Sequence, residues 1–166
     1  MKHTLKVMTV LFATILMSCG GKEEKKKDEL PFKKKAPTEK VETVKEEKVL
    51  ASKKVDLENK GVGPITSITL DDTIDQKMAN RGEEVFKQMC TACHRTDKKF
   101  IGPAPKGILE RRSPEWIMNM ILDPEGMVKN DPLAKELLEE FNGSPMANQH
   151  LSEADARAVL EYFRTL

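Results

Sequence analysis

Aromatic residues are scarce in this chain of 166 residues: one Trp, one Tyr and six Phe, 5% of the total. Charged residues make up 33%. Together these exclude one hydrophobic core running the whole length and predict a smaller domain with appended segments. Cysteines number three and histidines three. One of each lies near the N-terminus, which leaves too few ligands for a four-ligand zinc site. The apolar run Val7–Met17 is too short to hold a bilayer-spanning helix. The C-terminal half has no strand alternation, the chain has no internal repeat, and nothing resembles a nucleotide loop, a catalytic triad or a second metal cluster. No feature points to nucleic acid.

What is present is concentrated in Cys90-Thr91-Ala92-Cys93-His94. The C-x-x-C-H spacing is that of covalent c-type haem attachment. Two residues on a helical turn let each thiol add across one haem vinyl group, and the adjacent imidazole can then coordinate the iron. A thioredoxin-like C-x-x-C would need a βαβ surrounding, whereas these flanks read as helical. One such motif implies one haem c, with Cys90 and Cys93 covalent and His94 axial.

The N-terminus reads as an address. Lys2 and Lys6 precede the apolar run, which ends in Leu16-Met17-Ser18-Cys19, a tetrad that resembles a bacterial lipobox. Residues 1–18 are then a lipoprotein signal peptide, and Cys19 is the lipidated first residue of the mature chain. That assignment also accounts for the odd cysteine. Lys22-Glu23-Glu24 resembles surface-export signals of some lipoproteins, so the expected location is the periplasmic side of a membrane, with the outer membrane or cell surface as alternatives. Residues 19–60 are dominated by Lys and Glu and read as a flexible tether. Residues 61–74 connect it to a domain over 75–166. Residues 1–70 carry a net +5 and residues 71–166 a net −4, which favours a partner with a positive docking patch.

Within 75–166 every predicted element is a helix. The first spans Asp75 to Cys90, with Met78, Val85, Phe86 and Met89 near one face and Gly82 between them. Residues 95–112 read as loop. Ser113-Pro114 opens a helix that Asp123-Pro124 stops. Asp131-Pro132 opens another that ends at Asn142-Gly143. Ser152, with Asp155 three residues on, opens the last. A domain of this size has a thin core, and a covalent porphyrin would fill it.

Gly82-x3-Phe86-x3-Cys90 resembles the N-terminal helix of the class I c-type cytochromes over about residues 75–166. The resemblance implies an all-α fold in which Gly82 permits close crossing by the C-terminal helix, with Tyr162 as the aromatic partner. It implies Met146, in Gly143-Ser144-Pro145-Met146, as the sixth iron ligand. Met127, read as a loop residue, and His150 are the alternatives. Pro103 would anchor the second nitrogen of His94 through its carbonyl, and Phe86 would pack as core. The Trp116 indole would reach a haem propionate or lie in the core. Arg111 and Arg112 would offset propionate charge or lie in solvent.

The function implied is a membrane-anchored single-electron carrier, not an enzyme. Its partners would be a quinol-oxidising complex or another cytochrome as donor, and a terminal reductase or oxidase as acceptor. The Trp116–Met120 helix, Asp131-Pro132 and Pro145-Met146-Ala147-Asn148 are similar to small cytochromes that accompany nitrous oxide reductase. The alternatives are a haem sensor with an open sixth site and, less favoured, a haem peroxidase.

Overall fold

The computed structural model describes residues 49–166. The lipobox, Cys19 and most of the tether lie outside them. Five α-helices follow in order: α1 Gln76–Met89, α2 Pro114–Leu122, α3 Pro124–Asn130, α4 Pro132–Glu140 and α5 Glu153–Phe163. Short 3₁₀ turns occupy Ala51–Lys53 and Ile108–Glu110. Among the described residues the extended pairing is limited to an isolated parallel bridge between Asp56 and Arg112. None of the helices described is long and apolar enough to cross a membrane.

Capping chemistry places every helix start. The side chains of Asp75, Ser113, Asp123, Asp131 and Ser152 accept from the backbone N–H groups of Met78, Trp116, Gly126, Ala134 and Asp155. Each satisfies a donor that the first helical turn leaves open. Pro at the first position follows three of these caps, at 114, 124 and 132. Asp123-Pro124, read from sequence as a stop, is therefore also a start. The helix it opens carries Met127, which is fully buried and not in a loop.

The frame is the α1–α5 crossing. A Cβ on Gly82 would lie 1.9 Å from the Ala158 carbonyl oxygen and 2.8 Å from the Val159 nitrogen. Only a glycine leaves room for two backbones this close. The expected aromatic cover is displaced along the helix. Backbone atoms of α5 lie nearest Gly82, while the Tyr162 ring packs on Phe86, 5.6 Å between centroids and tilted 49°. Glu161, 1% exposed, ties the crossing together. It accepts from the Asp75 N–H at 2.9 Å, from Arg157 at 2.6 Å and from Arg164 at 2.7 Å.

Residues 51–74 correct the expected boundary. The sequence puts residues up to 60 in the tether and starts the domain at 75, yet Ala51 and Ile65 are buried in the core. The Ser52 N–H and hydroxyl both donate to Glu140. Lys54 pairs with Glu136. Asn119, 1% exposed, receives the Ile65 N–H and donates to the carbonyls of Ile65 and Lys60. The folded unit therefore begins near residue 50, and the segment wraps it as a strap.

Candidate haem site

Cys90 closes α1, its N–H still bonded to the Phe86 carbonyl at 2.9 Å. The chain then turns tightly, with the Cys93 and His94 N–H groups both donating to the Cys90 carbonyl. The C-x-x-C-H motif thus follows one helical end and opens on a single crevice. Cys90, Cys93, His94 and Met146 all line it. The walls between them are apolar: Phe86, Ile117, Met120, Ile121, Val128, Leu137, Phe141 and Val159. Burial, with the Cys93 thiol beside it, pushes the Cys90 thiol up to about 11. In the bare chain that sulfur is protonated.

The His94 ring is held on two sides. Its Nδ1 lies 2.8 Å from the Pro103 carbonyl oxygen, an acceptor that leaves Nε2 as the nitrogen with a free lone pair. Gly102, read from sequence only as loop punctuation, packs against the same ring. A Cβ there would meet His94 Cε1 at 2.5 Å. The Gly102 N–H also donates to the Cys93 carbonyl at 2.9 Å, so the loop closes back on the motif.

Met146 follows Ser144 and Pro145 in the irregular stretch before α5, and all three line the crevice. The two rivals for its place lie elsewhere. The Met127 sulfur accepts the Val62 N–H at 3.1 Å, deep beside Gly61 and Trp116. His150 is exposed, with a left-handed backbone (φ 52°), and is not among the crevice walls. Met89 and Met120 line the crevice, but their place on regular helices makes them wall residues.

Trp116 corrects one expectation and meets another. It lines the crevice at 2% exposure. Its indole N–H, however, donates at 3.1 Å to Asp131 Oδ1, the oxygen that also caps α4. A buried indole takes the nearest fixed acceptor, and that acceptor is this carboxylate. Arg111 and Arg112 both reach the crevice and both donate to backbone carbonyls. Gly82 and Tyr162 do not line it and act through the frame.

Haem c fits these walls. A flat apolar macrocycle matches the apolar sides, two thiols stand where thioethers would form, and an oriented imidazole and a thioether converge on the same space. The comparisons agree with the chemistry. The family model described as Cytochrome c matches residues 79–166, more than half of the chain. A cytochrome c2 of Rhodopseudomonas palustris is 51% identical over 35 residues, 21% of this chain and 30% of that protein. Short matches of this kind thus span under a third of the relative. Another cytochrome c2 from the same organism is 28% identical over 112 residues, 53% of this chain and 97% of that protein. Among solved structures, a cytochrome c from Rhodothermus marinus is 42% identical with a TM-score of 0.61, covering 70% of this chain and 92% of that one. An engineered form of it gives 41% and 0.60, over 70% and 93%. Glycine-mediated crossing, terminal C-x-x-C-H and matched family model converge on one conclusion: the chain belongs to the cytochrome c family, with the all-α class I fold and one covalent haem c as its cofactor.

Proposed function

We propose that this protein is a monohaem electron carrier of the cell envelope, with haem c bound through Cys90 and Cys93 and its iron held between His94 and Met146. The observation that carries the reading is the convergence of two thiols, a pinned imidazole and a loop thioether on one apolar crevice. When bound, the haem supplies one-electron chemistry between ferrous and ferric iron. The protein's own part is to hold the ligands still. The Pro103 carbonyl fixes the His94 ring, and the packed walls exclude water. Two permanent ligands leave no position for a substrate, and methionine opposite histidine favours the reduced state.

The finer assignments rest on sequence. The lipobox supports lipid attachment at Cys19, with the charged segment after it as a tether to the membrane. Such a tether suits transient contacts with a donor and an acceptor. The acceptor class we assign is a terminal reductase or oxidase of a respiratory chain. The likeness of Trp116–Met120 and Pro145–Asn148 to cytochromes that accompany nitrous oxide reductase makes that enzyme the first to test.

Met146→Ala is the deciding experiment. The haem-loaded variant is expected to lose the far-red charge-transfer band of thioether-ligated ferric haem and to fall in potential. An unchanged spectrum would remove Met146 from the iron. A wild-type protein that is high-spin and binds carbon monoxide readily would replace the carrier with a ligand-binding haem protein.

A further inference from the structure

One buried cation at the crevice has no anion to answer it. Arg112 is 3% exposed and lines the crevice beside Ser52 and Arg111. Its guanidinium donates to the carbonyls of Ala51 at 2.6 Å, Arg111 at 2.8 Å and Lys54. The Asp56 N–H bonds the Arg111 carbonyl at 2.9 Å, which laces the strap to the same loop. Among the described residues, Arg112 forms no ion pair with a carboxylate. Burial and the neighbouring Arg111 work against its charge, and Asp56, Asp131 and Glu140 act on it only from a distance. A guanidinium nonetheless stays protonated in a protein. A buried cation satisfied by carbonyls alone, at the wall of an apolar crevice, calls for a counter-charge from the crevice side.

The cofactor of this fold brings one, because a haem carries two carboxylates on one edge. We propose that Arg112, clasped by the carbonyls of Ala51, Lys54 and Arg111, supplies a fixed positive charge to that carboxylate edge, which makes the strap a positioning element for the redox centre. The inference rests on the haem-carrier reading and adds to it a route by which residues outside the helical frame tune the iron. A cation held near the iron disfavours the extra charge of the ferric state and so raises the potential. Carbonyl partners suit this role better than carboxylates would, because they hold the guanidinium without cancelling its charge. Glu140, gripping the Ser52 N–H at 2.8 Å and hydroxyl at 2.6 Å, keeps the strap in place.

The test is the midpoint potential of haem-loaded Arg112→Gln, Arg112→Lys and Ser52→Pro. Ser52→Pro removes both donors to Glu140 without altering any charge. Arg112→Gln is expected to lower the potential by about 59 mV, a tenfold change in the one-electron equilibrium, with the axial-ligand spectrum unchanged. It should also make the potential newly dependent on pH near neutrality, as a carboxylate without its partner takes up a proton. Arg112→Lys should retain most of the wild-type potential. Ser52→Pro should lower the potential in the wild type and have no further effect on top of Arg112→Gln. A potential unmoved by Arg112→Gln would overturn the proposal. So would an equal fall in Arg112→Lys, or a Ser52→Pro effect that persists without Arg112. If Arg112→Gln does not fold, Ser52→Pro and Arg112→Lys still decide. Haem missing from the wild-type protein would instead overturn the carrier reading, and haem content measured beforehand separates the two failures.

Discussion

The α1–α5 crossing and the strap are held to the same domain by opposite means. At the crossing, two backbones meet with no side chain between them, because Gly82 faces the Ala158 carbonyl. Along the strap, backbone groups of residues 51–65 are caught by polar side chains of the helical frame and its loops, notably Arg112, Asn119 and Glu140. The first arrangement is steric and has no tolerance for added atoms. The second is a series of hydrogen bonds, each worth little alone but costly to break when its partner stays buried. A compact frame can therefore carry the cofactor's covalent and axial bonds while a less rigid wrapper adjusts its surroundings.

The contrast can be broken at three points. Gly82→Ala should have the largest effect, a loss of about 3 kcal/mol of stability or more in denaturant unfolding of the haem-loaded protein. Relief of helical glycine alone would stabilise by about 1 kcal/mol, so a gain would refute the close contact. Asn119→Ala should cost about 2 kcal/mol, since it leaves the Ile65 amide and two carbonyls buried without partners. Hydrogen exchange should then show the Ile65 amide opening while the α1 amides stay protected. Equal loosening of both would mean that strap and frame unfold as one unit.

The smallest effect concerns pH. Burial pushes the Glu161 carboxyl up, but the hydrogen bonds from Arg157, the Asp75 N–H and Arg164 outweigh it and hold the group below its ordinary value. A carboxyl depressed in the folded state gives its full stability above the unfolded pKa of about 4.3. That stability is lost as pH falls through the lower folded value. Glu161→Gln should accordingly flatten the acid limb of the stability profile and cost about 1 kcal/mol at neutral pH. An acid limb as steep as that of the wild type would assign it to other carboxylates.

Much of the frame was legible because its signals are local. Ser113-Pro114 and Asp131-Pro132 announce helix starts through side chains that bond three residues ahead. Gly82 and the C-x-x-C-H motif sit at fixed offsets on one helix. The reading failed where one signal has two meanings. Asp123-Pro124 carries the same cap as Asp131-Pro132 but follows a helix, so its stop hid its start and left Met127 assigned to a loop. The strap failed for a different reason. Its Lys, Glu and Pro content matches a solvated linker, and its partners lie 54–88 residues away.

The chain by itself determined the cofactor, its two thiols, one axial imidazole and the helices that carry them. Each depends on residues close in sequence, whose geometry is set by a helical turn or a cap. Tertiary structure alone decided that Met146 and not Met127 or His150 lines the crevice, that the Trp116 indole donates to Asp131, and that a charged, proline-bearing segment wraps the domain. Those outcomes depend on which distant groups burial forces together. A buried donor or charge must find a partner wherever the fold happens to place one.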